Sequence, residues 1–209
     1  MRLQRTMSKG EVGALANTIE KIKQLREETA AGMMDVKRAL EESDGDIEGA
    51  RRVLRERGQA IAAKKSSRET HEGLIEAYVH FNGRVGVLVE VNCETDFVAR
   101  TPEFKEFARN VALHVASMNP LAVSPEDIPQ EAIEEERSIA RKQAADSGKP
   151  DHIQEKIVEG RVNKFAKERT LLTQDYVKEP EKSVGDLLQA TIQRVGENVV
   201  VRRFVRYEL

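Results

Sequence analysis

The 209 residues include one cysteine, no tryptophan, and only three Tyr and six Phe. A lone Cys93 cannot close an internal disulfide or build a zinc cluster, which fits a reducing compartment. Uninterrupted apolar runs are short, as at Val87 to Val89, against the roughly 20 residues that span a bilayer, so a membrane protein is excluded. No apolar signal-peptide core follows the N-terminus, and a cytoplasmic location is expected. An excess of one charge is lacking too. Thirty-four Lys+Arg against 36 Asp+Glu leave a net charge of −2, without the basic excess that marks a general nucleic-acid binder.

Motifs for chemistry are equally scarce. The sequence has no Walker-type phosphate loop, dinucleotide glycine fingerprint, zinc-protease helix or serine-nucleophile elbow. His71, His80, His114 and His152 are scattered without ligand spacing, so no metal or cofactor is expected. The many acids read as solvated helix faces. A binding protein is therefore expected rather than an enzyme that makes covalent bonds. A redox enzyme would have to use Cys93, for which nothing in the sequence supplies an exposed, cation-flanked setting.

What the chain does contain is charged amphipathic helix, with 39% hydrophobic and 33% charged residues. Residues 1–16, with Arg2, Arg5 and Lys9 ahead of the first acid, are too short for a transit peptide and read as a disordered head. Ile19, Ile22 and Leu25 then recur at helical spacing up to a break at Ala30-Ala31-Gly32. A second helix from about Met33 to Ser43 carries Met33, Val36 and Leu40 on one face. Ser43 to Asp46 supplies turn and N-cap chemistry for a third, with Ile47, Ala50, Val53 and Leu54, that Gly58 ends. Three short helices over residues 17–58 make a compact bundle with no site for chemistry. Its candidate contact surface is the loop Gly32-Met33-Met34, because Met side chains adapt to partners; both Met could instead be core. Residues 59–72 read as a linker or an exposed helical extension.

At Gly73 the apolar period changes to two. Ile75, Ala77, Val79 and Phe81 alternate before Asn82-Gly83, and Val85, Val87, Val89 and Val91 alternate after it, the pattern of a hairpin closed by a type I′ turn. The four valines are expected against helices, with Tyr78, His80, Arg84, Glu90 and Asn92 on the opposite face. Thr101-Pro102-Glu103 starts a helix whose stripe of Phe104, Phe107, Ala108, Val111 and Val115 is already complete. Phe97 is left over, and two places stay open for it: folded under as a staple, or exposed. Helices then follow from about Gln130 to Ser147 and through Ile153 to Phe165, and another from Val184 to Val195. Residues 171–182 show no core stripe, and Asn198 to Glu208 reads as a strand beside the hairpin. Strands and helices do not alternate as a parallel sheet requires, so the class is α+β with a small antiparallel sheet packed on helices.

Several blocks in one order, AGMMDVKRALEES (31–43), GDIEGA (45–50), VEVNCETDFVAR (89–100), SGKP (147–150), KIVEGRVNKF (156–165) and YVKEPEKSVGDLL (176–188), closely resemble the translation elongation factor Ts family. The resemblance runs from about Thr18 to Leu209. It implies a guanine-nucleotide exchange factor for the GTPase elongation factor Tu, without a cofactor. It also implies that residues 17–58 form a ubiquitin-associated-like module, docking through Gly32, Met33, Met34 and Asp35, and that residues 73–209 form the core domain. By the same resemblance Thr95, Asp96, Phe97 and Val98 are the exchange motif, with Phe97 wedging between GTPase helices. Tyr176, Val177, Lys178, Glu179 and Pro180 are implied as a second contact. Longer members carry a duplicated core, whereas this chain has room for one. Short members resemble half of that architecture, which leaves a homodimer open.

Overall fold

The structure, a computed structural model, describes residues 9–146 and 148–209, with side chains from Thr18 onward. Two compact units emerge. One comprises the described residues up to Ser67 together with Gln189–Gly196, and the other Arg68–Leu188 with Glu197–Leu209.

In the first unit, helical spacing yields α1 (Lys9–Thr29), α2 (Met33–Glu42) and α3 (Ile47–Lys65). Ala30, left-handed at φ 57°, makes the break between the first two. Asp46 caps α3 by accepting from the Gly49 N–H at 2.8 Å. Gly45 before it sits at φ 78°, a conformation that disfavours any side chain. Leu25, Val36, Ala39, Leu40, Ala50 and Leu54 form one buried cluster, rimmed by Ile22, Ile47 and Val53. Arg51 ties α3 to α1 through Glu28, at 3.0 Å from Nε and 2.7 Å from Nη2.

Two expectations change here. Of the head expected over residues 1–16, residues 1–8 lie outside the described residues and α1 already runs from Lys9. Gly58 does not end α3. It is buried inside the helix, which continues through residues 59–65 because alanines favour helix and Lys64 and Lys65 in the last turn suit its negative end.

The second unit is built on β1 (Glu72–Val79), β2 (Val85–Cys93) and β5 (Val199–Glu208), antiparallel in the order β1-β2-β5. After β2 come the single turn α4 (Asp96–Ala99) and α5 (Pro102–Met118), capped by Thr101 as its sequence required. Phe104, Val111 and Val115 of α5 are fully buried on the helix side of the sheet, where Val87, Val89 and Val91 lie. Helices α6 (Gln130–Ala145) and α7 (Asp151–Arg169) pair around Ala140, Ala144 and Val158. A small ribbon, β3 (Asp175–Tyr176) with β4 (Glu179–Ser183), precedes α8 (Val184–Val195). The class is α+β, and among the described residues no helix is long and apolar enough to cross a membrane.

The hairpin is present but its details differ. Asn82 does not adopt positive φ; only Gly83 does, at 68°. The connection is longer than a two-residue turn, with the Gly83 N–H donating to His80 O and the His80 N–H to Val85 O. The faces of β1 also exchange. Tyr78 pairs with Val87, Glu76 with Val89 and Leu74 with Val91, so these three share the valine face. Ile75 and Val79 are each 68% exposed and Phe81 is 92% exposed. In β5 the register shifts opposite Glu90 and Val91, placing Arg202 and Arg203 both in solvent. Two successive arginines cannot alternate between a core and water, and the bulge resolves that conflict. Residues 171–182 are more buried than their composition suggested: Leu171 is fully enclosed, Gln174 is buried, and Tyr176 is 2% exposed.

Candidate functional site

Strand β2 delivers the chain to Glu94 and Thr95, where a one-turn helix starts. The Thr95 side chain accepts from the Val98 N–H at 3.4 Å, an N-cap that stops the strand and opens α4. Within that turn Val98 and Ala99 are buried at 9% and 8% exposure, whereas Phe97 is 78% exposed. Of the four motif residues, then, Val98 points inward and anchors the turn, and Phe97 stands out. Asp96 is half-exposed and pairs with Arg100 at 2.7 Å. An exposed pair of this kind contributes little to stability.

Glu197, which nothing in the sequence singled out, closes the start of the turn. Its Oε2 accepts from the Glu94 and Thr95 N–H groups at 3.1 and 3.0 Å, and its Oε1 from the Thr95 hydroxyl at 2.7 Å. The next residue, Asn198, donates its N–H to Glu94 Oε1 at 2.6 Å. Cys93 beneath the turn is fully buried, its Sγ donating to Thr95 O at 3.2 Å. Burial, helped by the Glu197 charge, pushes its thiol up to about 11. A thiol so enclosed and so weakly acidic is a poor nucleophile, which removes the setting a Cys93-based redox enzyme would need.

In the other unit, Met33 and Met34 are 57% and 64% exposed at the start of α2, with Gly32 exposed before them and Asp35 partly buried. They are not core. Asp35 pairs with Arg38 one turn along.

The Tyr176 to Pro180 stretch divides in the same way. Tyr176 is buried, its hydroxyl has no hydrogen-bond partner among the described residues, and burial, then Glu179 and Glu106, push its ionisation up to about 12. It therefore anchors the ribbon and does not itself present a surface, while Val177, Lys178, Glu179 and Pro180 are exposed. His114 of α5 holds the strand from below. Its Nδ1 accepts from the Val177 N–H at 3.2 Å, and its Nε2 lies 2.9 Å from Gln174 Oε1, so Nε2 carries the proton. Burial lowers its basicity, and the neutral ring fits both bonds. The hydrophobic period of the segment gave no sign of this anchor, because the partner is some sixty positions away on another helix.

Among the described residues no group of three or more His, Cys, Asp or Glu is placed to hold a metal ion. What the molecule offers instead is a set of held but uncovered apolar side chains. The family model for elongation factor Ts matches residues 7–209. A protein named elongation factor Ts from Rubrobacter xylanophilus is 75% identical over 195 residues, 93% of this chain and 100% of the relative. One from Thermoanaerobacter sp. strain X514 is 56% identical, covering 90% of this chain and 92% of its own length. Another from Desulfosudis oleivorans is 52% identical over 90% and 95% of the two chains. The chain belongs to the elongation factor Ts family, whose members serve translation elongation.

Proposed function

We propose that the protein is a guanine-nucleotide exchange factor for elongation factor Tu, acting without covalent chemistry in the translating cytoplasm. The observation that carries this reading is Phe97, an aromatic ring 78% exposed on a capped turn whose neighbours Val98 and Ala99 are buried. A large apolar side chain held out from a fixed backbone reads as a contact residue, since nothing among the described residues covers it. Bound GDP with its Mg²⁺ and the factor favour different conformations of the GTPase, so each weakens the other's binding through one coupling free energy. Phe97, with Asp96 beside it, enters the GTPase near the nucleotide; Thr95 and Val98 hold the turn. Residues Gly32 to Asp35 of the three-helix unit act as the ubiquitin-associated-like docking patch, and Val177 to Pro180 as a second contact. Release of fluorescent GDP from purified elongation factor Tu, followed with and without the protein, tests the reading. Acceleration that saturates with factor concentration is expected, and an unchanged release rate overturns it.

The sheet favours a second reading alongside the first, a homodimer. Ile75, Val79, Leu88, Val205 and Tyr207 are all exposed on the face away from α5, an apolar surface of the kind that marks an interface. Sedimentation at micromolar concentration reads the mass directly, and a monomer throughout overturns this reading.

A further inference from the structure

A four-residue helix cannot fix its own direction. Its few internal hydrogen bonds do not repay the ordering of its backbone, so a single turn holds only where external ties define it. For α4 the buried side chains of Val98 and Ala99 supply one set of ties, and the hydrogen bonds that define its start converge on Glu197. This carboxylate accepts three donors from the two residues that open the turn: the Glu94 and Thr95 N–H groups on Oε2 and the Thr95 hydroxyl on Oε1. The third bond has a further effect. By giving its only proton to Glu197, the Thr95 hydroxyl is left with lone pairs for the Val98 N–H, so the carboxylate also orients the cap of α4. Backbone N–H, side-chain hydroxyl and cap thus form one continuous chain of hydrogen bonds from β5's entry to the backbone that carries Phe97.

We propose that Glu197 is a positioning residue of the exchange motif, a carboxylate clamp that sets the start of α4 and thereby aims the Phe97 ring at the GTPase. The role rests on the exchange reading above. Glu197 need not touch the partner. It acts through Thr95, and its effect falls on how fast the bound GTPase loses nucleotide more than on how tightly the factor docks.

Glu197→Gln keeps the side chain's size but replaces one carboxylate oxygen by an NH₂ group, which cannot accept, so one arm of the clamp is lost whichever way the amide turns. GDP release from elongation factor Tu is measured over a range of factor concentrations for the wild type, Glu197→Gln, Phe97→Ala and the double variant, with thermal melts of each. The expected result is a maximal release rate about tenfold lower in Glu197→Gln, with a half-saturating concentration that changes much less. Adding Glu197→Gln to Phe97→Ala should produce no further loss, because a residue that acts only by aiming the ring has nothing left to aim. A full tenfold loss in the Phe97→Ala background overturns the proposal, as does wild-type exchange by a folded Glu197→Gln protein. If wild-type protein leaves GDP release unchanged, the exchange reading itself fails and the role of Glu197 with it. Should Glu197→Gln not fold, amide hydrogen exchange on the wild type decides: the Glu94 and Thr95 amides are expected to be protected, and free exchange at both overturns the clamp.

Discussion

Phe97→Ala removes a ring that is 78% exposed, so only about a fifth of its surface leaves a buried setting. Taking about 200 Å² for the side chain, some 40 Å² of burial at about 25 cal/mol per Å² gives about 1 kcal/mol. This is an upper bound, because the unfolded chain already covers part of that surface. For a chain of this size the melting temperature should fall by no more than about 4 °C. Phe104→Ala is the internal contrast. That ring is 0% exposed beneath the sheet, and its loss should cost roughly 3–5 kcal/mol, or about 6–20 °C. Function should rank the two in the opposite sense once each is assayed below its melting point. Losing a central aromatic anchor typically costs about 2 kcal/mol or more, and if that acts on the nucleotide-released complex, GDP release should slow by about 10- to 100-fold in Phe97→Ala. Melts and GDP-release rates are read on the same preparations. A melting drop matching that of Phe104→Ala would mean that Phe97 belongs to the core. Wild-type exchange by Phe97→Ala would refute its role as the wedge.

Three further outcomes follow from the same geometry. Replacing Met33 and Met34 together by Ser should leave stability within about 0.5 kcal/mol per site while raising the factor concentration needed for half-maximal exchange, and an unchanged half-saturation point excludes the docking patch. Tyr176→Phe deletes a buried hydroxyl that has no partner among the described residues and should be neutral or stabilising in thermal melts; a loss above about 1 kcal/mol would show that the hydroxyl is satisfied in solution. His114 is held neutral by burial, so the unfolded chain takes up the proton first as pH falls through about 6.5; stability is complete above that pH and declines below it, and an NMR midpoint for His114 at or above 6.5 refutes this.

The parts of the fold written locally could be read from the sequence. Thr101-Pro102 starts α5, Asp46 caps α3, and the alternating residues around Asn82-Gly83 make the hairpin, because each signal lies within a few positions of its effect. Which face of β1 is buried was not legible. Ile75, Ala77, Val79 and Phe81 look more like a core stripe than Leu74, Glu76 and Tyr78, and only the placement of α5 decides between them. The ribbon of β3 and β4 was missed for the same reason, since it depends on His114 and Gln174 rather than on its own periodicity. At the site, Phe97 could be noticed as surplus to the α5 stripe. Glu197 could not, because one acid after a helix-ending glycine carries no local mark of the Thr95 amide it receives.

The 102 positions between Thr95 and Glu197 set an order of assembly. On the ribosome the motif is polymerised first and its clamp last, and at about 5–20 residues per second the interval is about 5–20 s. Closing so long a loop is a late event in folding, since distant contacts form only after the entropy of bringing the ends together has been overcome. Until then the turn that bears Phe97 lacks its carboxylate anchor. A growing chain therefore carries the Phe97 turn without its carboxylate until residue 197 has been added and has left the ribosomal tunnel, and the direction of the turn is fixed only then.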